Sequence, residues 1–385
     1  MSILKKVNLR CWLVLSVLFS CQIVAAADNQ APPKPIETFY GVINPDGMES
    51  DQFALVSALL HSPAVNRLKQ INQYGPIQMV DSAGHNNEPY TRYDHSLGVF
   101  YLLHHYGAPV DEQISGLLHD LPHTAFSHVS DYLFSTDSAG DPNYHDSKFI
   151  SFLKKHDVAR ILENHQLSPE AVDPKNNKHF TRLERALPDL AADRLDYTLQ
   201  GAARRQYLSR QQVEAILEDL FFDPSSGHWY SRTLTSARLI GNASMELNRN
   251  IFVTAWGRVL YLWAAEALRQ LTAAQELSPD DIFFNMGDQQ IWQKIHQSSL
   301  PEVQQLNQKM KSVWFTVREA DSPGPDTITF AKVRCRIVDP RVVTASDETS
   351  SGIIWQRVSD LDPDFKTRYQ AELKRCQLFY ANISP

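Results

Sequence analysis

Cysteine is scarce in this chain, and the positions of the few cysteines restrict the kinds of site that it can form. The sequence of 385 residues has Cys11 and Cys21 near its start and Cys335 and Cys376 near its end. The histidine-rich centre has none, which argues against a cysteine-type structural zinc site there. In an oxidising compartment Cys335 and Cys376 could pair, and two separate buried thiols are equally compatible with the sequence.

An excess of positive charge and long hydrophobic runs are also lacking. The formal net charge is −7, so duplex nucleic acid and anionic lipid are poor candidates as main partners. The apolar segment Trp12 to Phe19 is shorter than the roughly 20 residues that a membrane-spanning helix needs.

Residues 1–27 instead have the parts of a secretory signal peptide. Basic residues precede the apolar segment, and the small residues Ala25 to Ala27 follow it as a cleavage site. Alternatively, the segment ending at Cys21 could be a lipoprotein cleavage box. Lipidation of Cys21 is the only feature that we expect to attach the protein to a membrane. We therefore expect a periplasmic or secreted protein.

Apolar residues recur at helical spacing through most of the chain, which predicts a mainly α fold. The expected divisions are a lead-in at 28–49, a helical domain at 50–290 and a small α+β appendage at 291–385. Leu183 to Leu190 has helical spacing, and Pro188 is expected to begin the helix that carries the later acidic motif. In the appendage, β-branched and aromatic residues predict strands at 313–317, 327–338 and 353–358, followed by a helix at 364–380.

Histidines cluster in one part of the sequence. Eight of the 14 histidines lie between His85 and His145. Imidazole and carboxylate together suit a divalent metal ion, and the adjacent pair His119-Asp120 offers both from one short piece of backbone. Arg92 stands three residues before His95, so a helix would place a phosphate-binding guanidinium beside a metal ligand.

These segments resemble the HD superfamily of metal-dependent phosphohydrolases, and most closely its deoxynucleotide triphosphohydrolase branch. The matching stretches are Arg92 to Val99, His119 to His128 and Asp193 to Tyr197. The resemblance covers about residues 50 to 270. It implies an HD-domain helical fold and a bound divalent cation, with Mn, Fe, Mg, Ni and Zn all compatible. It also implies a small phosphorylated substrate, with a nucleotide favoured, and homo-oligomers are common among the relatives.

The resemblance also assigns roles to individual residues. The metal ligands that it implies are His95, His119, Asp120 and Asp193. The residues that it implies for proton chemistry beside the phosphates are His128, Asp131, His145 and His123. Substrate contacts are expected from Arg92, Arg194 and Tyr197, the last by stacking.

Two departures concern the substrate. After Tyr197 the branch continues with an Arg-Asp pair whose carboxylate contacts the sugar, whereas this chain has Gln200 and Gly201. A later Val-Tyr-x-His segment is replaced by residues 256–259. We therefore expect weak selection for deoxyribose.

Three other functions compete with a nucleotide hydrolase. His119 and His123 have the spacing of a zinc protease, but Asp120 replaces the required Glu and Pro122 disrupts a helix between them. A phosphatase or phosphodiesterase acting on another phosphoester remains open. So does a catalytically silent HD module that binds a nucleotide or a partner protein, although five intact motif residues argue for catalysis.

Overall fold

A computed structural model of the protein describes residues 34–80, 89–133, 146–176, 178–331, 333–346 and 353–384. The predicted signal peptide, including Cys21, and His145 lie outside these residues. The α-helices in the described parts are α1 Ser50–His61, α2 Pro63–Arg67, α3 Pro76–Val80, α4 Arg92–His105, α5 Val110–Leu118, α6 Val129–Leu133, α7 Phe149–Lys155, α8 Val158–Asn164, α9 Ala192–Arg204, α10 Arg210–Asp219, α11 Leu234–Leu247, α12 Ala255–Ala273, α13 Asp288–Gln297, α14 Pro301–Thr316, α15 Val358–Leu361 and α16 Pro363–Gln377.

Short strands form three small sheets beside these helices. The strands are β1 Ile36–Glu37, β2 Val42–Ile43, β3 Leu220–Asp223, β4 His228–Ser231, β5 Val317–Ala320, β6 Thr327–Ala331, β7 Arg341–Ser346, β8 Ile353–Arg357 and β9 Leu378–Ile383. Their orders are β1-β2, β3-β4-β7-β8 and β5-β9-β6. The expected mainly α fold with C-terminal α+β elements is confirmed.

The sheets join the C-terminal elements to the helical body. Strand β7 pairs in parallel with β4 through Ser231 and Val342, while β9 pairs antiparallel with both β5 and β6. In the predicted lead-in, β1 and β2 form a hairpin that buries Ile36 and Ile43. The expected divisions at residues 50 and 290 stay a prediction.

Local expectations differ from the structure in several places. The strand expected at 327–338 ends at Ala331, and residues 333–338 form no strand. Residues 313–316 continue α14 because Val313 packs into the core on the helix's buried face, so the strand begins only at Val317. Leu183 to Leu190 forms turns, and the next helix begins at Ala192 rather than at Pro188. The last helix ends at Gln377, where the chain enters β9.

The main hydrophobic core lies among α4, α9, α11 and α12. No single described helix is long and apolar enough to cross a membrane, although the bent pair Leu234–Phe252 and Ala255–Ala273 meets that test together. Many residues of both helices are buried in the protein.

Cys335 and Cys376 form a disulfide bond. The bond joins the segment between β6 and β7 to the C-terminal end of α16. It settles the choice that the sequence left open between paired and separate cysteines.

Candidate metal centre and cleft

Helix α4 places two of the predicted residues at the bottom of a cleft. Its start is fixed by a capping box, in which the Thr91 hydroxyl accepts from the Asp94 amide and the Asp94 carboxylate accepts from the Thr91 amide at 2.9 Å. Arg92 and His95 follow within the first turn, and both are buried. The local sequence therefore fixes the direction in which His95 enters the site.

The His119-Asp120 pair lies directly after α5, which ends at Leu118. The chain then runs in tight turns to α6, and Phe126 and Ser127 adopt left-handed backbone angles with φ of 62° and 51°. The buried Asp288 carboxylate stabilises this loop by accepting from the Phe126 amide at 2.8 Å. These turns allow His119, Asp120, His123 and His128 to face one cleft, which a continuous helix could not do.

Helix α9 contributes two carboxylates with different surroundings. Asp193 faces the cleft, whereas Asp196 is completely buried behind His95 and lies 2.6 Å from its Nδ1. The two helices approach so closely that a Cβ at Gly98 would lie 1.8 Å from Oδ1 of Asp196. Glycine at position 98 is therefore required for Asp196 to reach His95.

Three of the four predicted ligands converge on one point. The Nε2 atoms of His95 and His119 are 3.2 Å apart, and Oδ1 of Asp193 lies 3.0 Å from the first and 3.6 Å from the second. Ligand atoms about 2.0 to 2.2 Å from one ion are separated by about 2.8 to 3.6 Å, depending on whether they meet it at right-angled or tetrahedral positions. Among the described residues, His95, His119 and Asp193 form the one group of three whose ligand atoms lie close enough together to hold a metal ion.

The tautomers of the two imidazoles fit a cation. Nδ1 of His95 faces the Asp196 carboxylate, and Nδ1 of His119 lies 2.7 Å from the carbonyl oxygen of Gly116. Both carbonyl and carboxylate oxygens only accept, so each Nδ1 carries hydrogen. When the rings are neutral, both Nε2 lone pairs point at the same place, which suits a metal ion.

The carboxylates of this cluster favour positive charge on its imidazoles. Burial opposes a charge on His95, but hydrogen bonds to Asp193 and Asp196 outweigh it and raise the pKa of His95 to about 10. Burial likewise opposes ionisation of Asp193, yet its contacts with His119 and His95 hold its pKa well below the ordinary value. The site is thus strongly attractive to positive charge.

The fourth predicted ligand, Asp120, lies beside this cluster and is bound by Arg92. The Arg92 guanidinium donates to Asp120 Oδ2 at 2.6 Å, and the same oxygen is 3.6 Å from His95 Nε2. Burial alone would raise the pKa of Asp120, but Arg92, His119 and His123 hold it well below its usual range. Arg92, predicted as a substrate contact, therefore also orients the carboxylate of a predicted ligand.

The predicted acid-base residues lie next to Asp120. Nε2 of His123 is 3.2 Å from Asp120 Oδ1, and the rings of His123 and His128 meet edge to face at 5.0 Å. His128 in turn places Nδ1 2.9 Å from the Asp131 carboxylate. The structure thus brings His123, His128 and Asp131 together. The fourth predicted acid-base residue, His145, lies outside the described residues.

The cluster opens into a cleft of about 1340 Å³. Tyr197 and Phe252 line it with rings 5.8 Å apart. The predicted substrate residue Arg194 also lines it, but its guanidinium donates to the carbonyl oxygens of Arg185 and Asp189. Arg194 therefore holds the loop at residues 185 to 189 as well as facing the cleft.

The charge of the cleft is opposite to that of the whole chain. Among the described lining residues, eight basic side chains outnumber four carboxylates. The basic residues are Arg92, Lys175, Lys178, Arg185, Arg194, Arg258, Arg334 and Arg336, and the acidic ones are Asp120, Asp131, Glu184 and Asp193. A cleft of this composition favours an anionic ligand.

Several residues of the site have no role predicted from the sequence. Asp196 lies within the matching stretch from Asp193 to Tyr197, and its position in the next turn after Asp193 is the signal that could have identified it. Glu184 lies beside Asp193, and burial followed by the Asp193 charge raises its pKa to about 7. Arg334 and Arg336 come from the C-terminal segment, where no motif marks them.

Comparison with known proteins places this site in a recognised domain. Residues 92–200 match the HD domain, so the expected HD superfamily is confirmed. The chain is 26% identical over 309 residues to the uncharacterized protein YdhJ of Bacillus subtilis, covering 80% of this chain and 87% of that one. It is 27% identical over 295 residues to the metal-dependent phosphohydrolase cns2 of Cordyceps militaris, covering 74% and 79%.

Solved structures share the fold. A phosphohydrolase from Bacteroides thetaiotaomicron superposes with a TM-score of 0.65 at 16% identity, covering 92% of this chain and 100% of that one. A hypothetical protein from Aquifex aeolicus gives 0.61 at 15% identity, covering 91% and 96%. The arrangement of helices is therefore one that distant proteins also adopt.

Proposed function

We propose that the protein is a metal-dependent phosphohydrolase that is exported from the cytoplasm and acts on nucleotides, in the manner of the deoxynucleotide triphosphohydrolases. The observation that carries this proposal is the convergence of His95, His119 and Asp193 at the bottom of a cleft in which basic side chains outnumber carboxylates. The similarity to the Cordyceps militaris phosphohydrolase supports a hydrolytic reaction on a phosphorylated compound.

A divalent ion held by His95, His119 and Asp193, with Asp120 beside them, would activate water and neutralise phosphoryl oxygens. The protein's own groups supply the proton transfer. Asp131 orients the His128 ring through Nδ1, and the opposite nitrogen can exchange a proton with water or a leaving oxygen once the Arg336 guanidinium that contacts it moves away. His123 links this pair to Asp120.

Nucleotide binding is favoured by two features of the cleft. Tyr197 and Phe252 offer aromatic surface on which a base could stack. The excess of basic side chains suits several phosphoryl groups, because each gains charge-assisted hydrogen bonds. Duplex nucleic acid is not expected as a partner, and homo-oligomer formation remains an expectation.

Export is supported by the disulfide between Cys335 and Cys376, because such bonds persist mainly in oxidising compartments. We propose a periplasmic or secreted location for the mature chain. Membrane attachment would follow only from lipidation at Cys21.

A substrate panel tests this function. Purified mature protein is supplied with Mn²⁺, Mg²⁺, Fe²⁺ or Zn²⁺, and the release of phosphate, pyrophosphate and triphosphate is measured separately. We expect nucleoside triphosphates to be hydrolysed fastest. Equal rates on monophosphates would favour a phosphatase, and no release from any compound despite bound metal would favour a silent binding module.

A further inference from the structure

A segment from the C-terminal part of the chain forms one wall of the cleft. We call residues 333–340, between β6 and β7, the strap. Its first half is tied to α16, because the Val333 amide donates to the Cys376 carbonyl at 3.0 Å and Cys335 is bonded to Cys376. The path of the strap is therefore set by covalent and backbone contacts.

The second half of the strap is tied to the helical body. The Arg336 amide donates to the Asn248 side chain, and the Val338 amide donates to the Ser244 hydroxyl, both at 3.1 Å. The Asp339 amide donates to the Pro188 carbonyl at 3.1 Å. With its backbone held at these points, the strap can present side chains to the cleft in a fixed direction.

Arg336 reaches from the strap to the predicted acid-base residue. Its Nη2 lies 3.1 Å from Nε2 of His128, whose other nitrogen faces Asp131. The guanidinium also lies over the rings of Tyr197 and Phe252, at 5.7 and 5.4 Å from their centres. Because a guanidinium only donates, His128 must accept at Nε2, so this nitrogen is covered by Arg336.

No carboxylate of the described residues lies within ion-pair distance of Arg334 or Arg336, and both line the cleft. The charge of Arg336, and then desolvation, lower the pKa of Arg334. The like charge of Arg336 outweighs the opposing charges of Asp193 and Glu184 at Arg334, and a bound polyanion would reduce this repulsion.

We propose that Arg334 and Arg336 bind a second phosphoryl group of the substrate, beyond the one held at the metal centre. This inference rests on the proposed function for the position of the first phosphoryl group. When the second group accepts hydrogen bonds from Arg336, Nε2 of His128 is released for proton transfer. A substrate with two or more linked phosphates thus uncovers the acid-base residue by binding.

The spacing of the side chains favours a linked polyphosphate over a single phosphate. From the metal ligands to the strap the path runs through Asp120, His123 and His128 before it reaches Arg336. A chain of linked phosphates could contact both the metal ligands and the strap along this series of groups. The ligand class is therefore a di- or triphosphate, free or attached to a nucleoside.

The test is the binding of inorganic tripolyphosphate and orthophosphate, measured by calorimetry on the metal-loaded full chain. The variants are Arg336→Ala, Arg336→Gln and the double variant with Arg334→Ala. The control is Arg160→Ala, which removes an exposed arginine of α8 that does not line the cleft. Metal content and thermal melting are measured for every variant.

We expect each arginine substitution to weaken tripolyphosphate binding roughly ten- to a hundredfold, because hydrogen bonds to charged groups are strong. Orthophosphate binding should change less than about threefold, because this ligand would occupy the metal centre and would not contact the two arginines. A double variant that binds tripolyphosphate like the wild type would overturn the proposal. Equal weakening for both ligands would overturn the assignment to a second phosphoryl group.

The disulfide provides a second arm that does not alter the arginines. Replacing both Cys335 and Cys376 by Ser should weaken tripolyphosphate binding by less than the arginine variants, because the other strap contacts remain. Unchanged binding in the serine variant would contradict the role of the disulfide in fixing Arg336.

Failure of this inference is distinguishable from failure of the proposed function. If the wild type releases phosphate from nucleotides but the arginine variants bind tripolyphosphate normally, the inference is wrong and the function stands. If the wild type binds tripolyphosphate through the arginines yet hydrolyses nothing in the substrate panel, the binding role of the arginine pair is supported and the proposed hydrolase function is wrong.

Discussion

Oδ2 of Asp196 lies 2.6 Å from Nδ1 of His95, and neither residue is exposed to solvent. The same carboxylate accepts from the Tyr90 hydroxyl at 2.9 Å and from the Gln200 amide at 3.0 Å. It is therefore fixed before any metal binds. Such a carboxylate orients the metal-binding nitrogen of the imidazole and raises its basicity.

The Asp196→Asn variant should bind metal about 10- to 100-fold more weakly than the wild type, although it removes no ligand. Competition with a chromogenic chelator measures the affinity. The matched control is Asp111→Asn, because Asp111 also faces a histidine, His179, at 3.0 Å but on the exposed surface. Equal metal affinity in Asp196→Asn and the wild type would show that this contact does not support the site.

Metal binding should strengthen as pH rises. The pKa of His95 in the metal-free protein is about 10, above its ordinary value of 6.5, so the ring is protonated at neutral pH. Metal must displace this proton, so the apparent affinity should rise by up to about tenfold per pH unit below 10. Titrations between pH 6 and 8.5 check the sign, and a constant or falling affinity would contradict it.

The His128→Ala variant should retain metal but lose a factor of roughly 10² to 10⁴ in turnover, which is the usual contribution of a positioned acid or base. His128 lies beyond the three-residue metal cluster and contacts Asp131 and Arg336. Turnover at saturating metal is the measurement, with His61→Ala as a surface control. Unchanged turnover would move the proton transfer to another residue, with His145 as the next candidate.

Sugar selection should be weak, with kcat/KM for dGTP and GTP within about tenfold of each other, or about 1.4 kcal/mol. Gln200 is buried against Asp196, and a Cβ at Gly201 would lie 2.5 Å from the Tyr74 hydroxyl. Neither position offers a carboxylate to a sugar, and strong rejection needs a buried polar group left unpaired. A deoxy preference of a hundredfold or more would mean that another residue reads the sugar.

The metal centre could be predicted because its residues lie in short local motifs. The turn after α5 places His119 and Asp120 together, and one turn of α9 carries both Asp193 and Asp196. The orientation of Arg92 toward Asp120 could not be predicted, because it depends on how α4 packs beside the loop. Helical spacing indicates the face of the helix on which a residue lies, but it does not indicate which residue of another element that side chain contacts.

The strap could not be predicted because long-range contacts place it. Arg336 is more than 200 residues from His128 in sequence, and its position depends on Asn248 and on the disulfide. Local propensity also failed at residues 313–316, where β-branched and aromatic side chains stay helical because α14 packs against α12. Tertiary packing decides such short segments.

The central claim is that His119 belongs to a metal centre on which phosphate hydrolysis depends. The most direct measurement is elemental analysis combined with phosphate release from nucleoside triphosphates, for the wild type and His119→Ala. The account predicts bound divalent metal and hydrolysis in the wild type, and the loss of both in the variant, because the remaining ligands leave an open, poorly balanced site. Full metal occupancy and wild-type turnover in His119→Ala would contradict it.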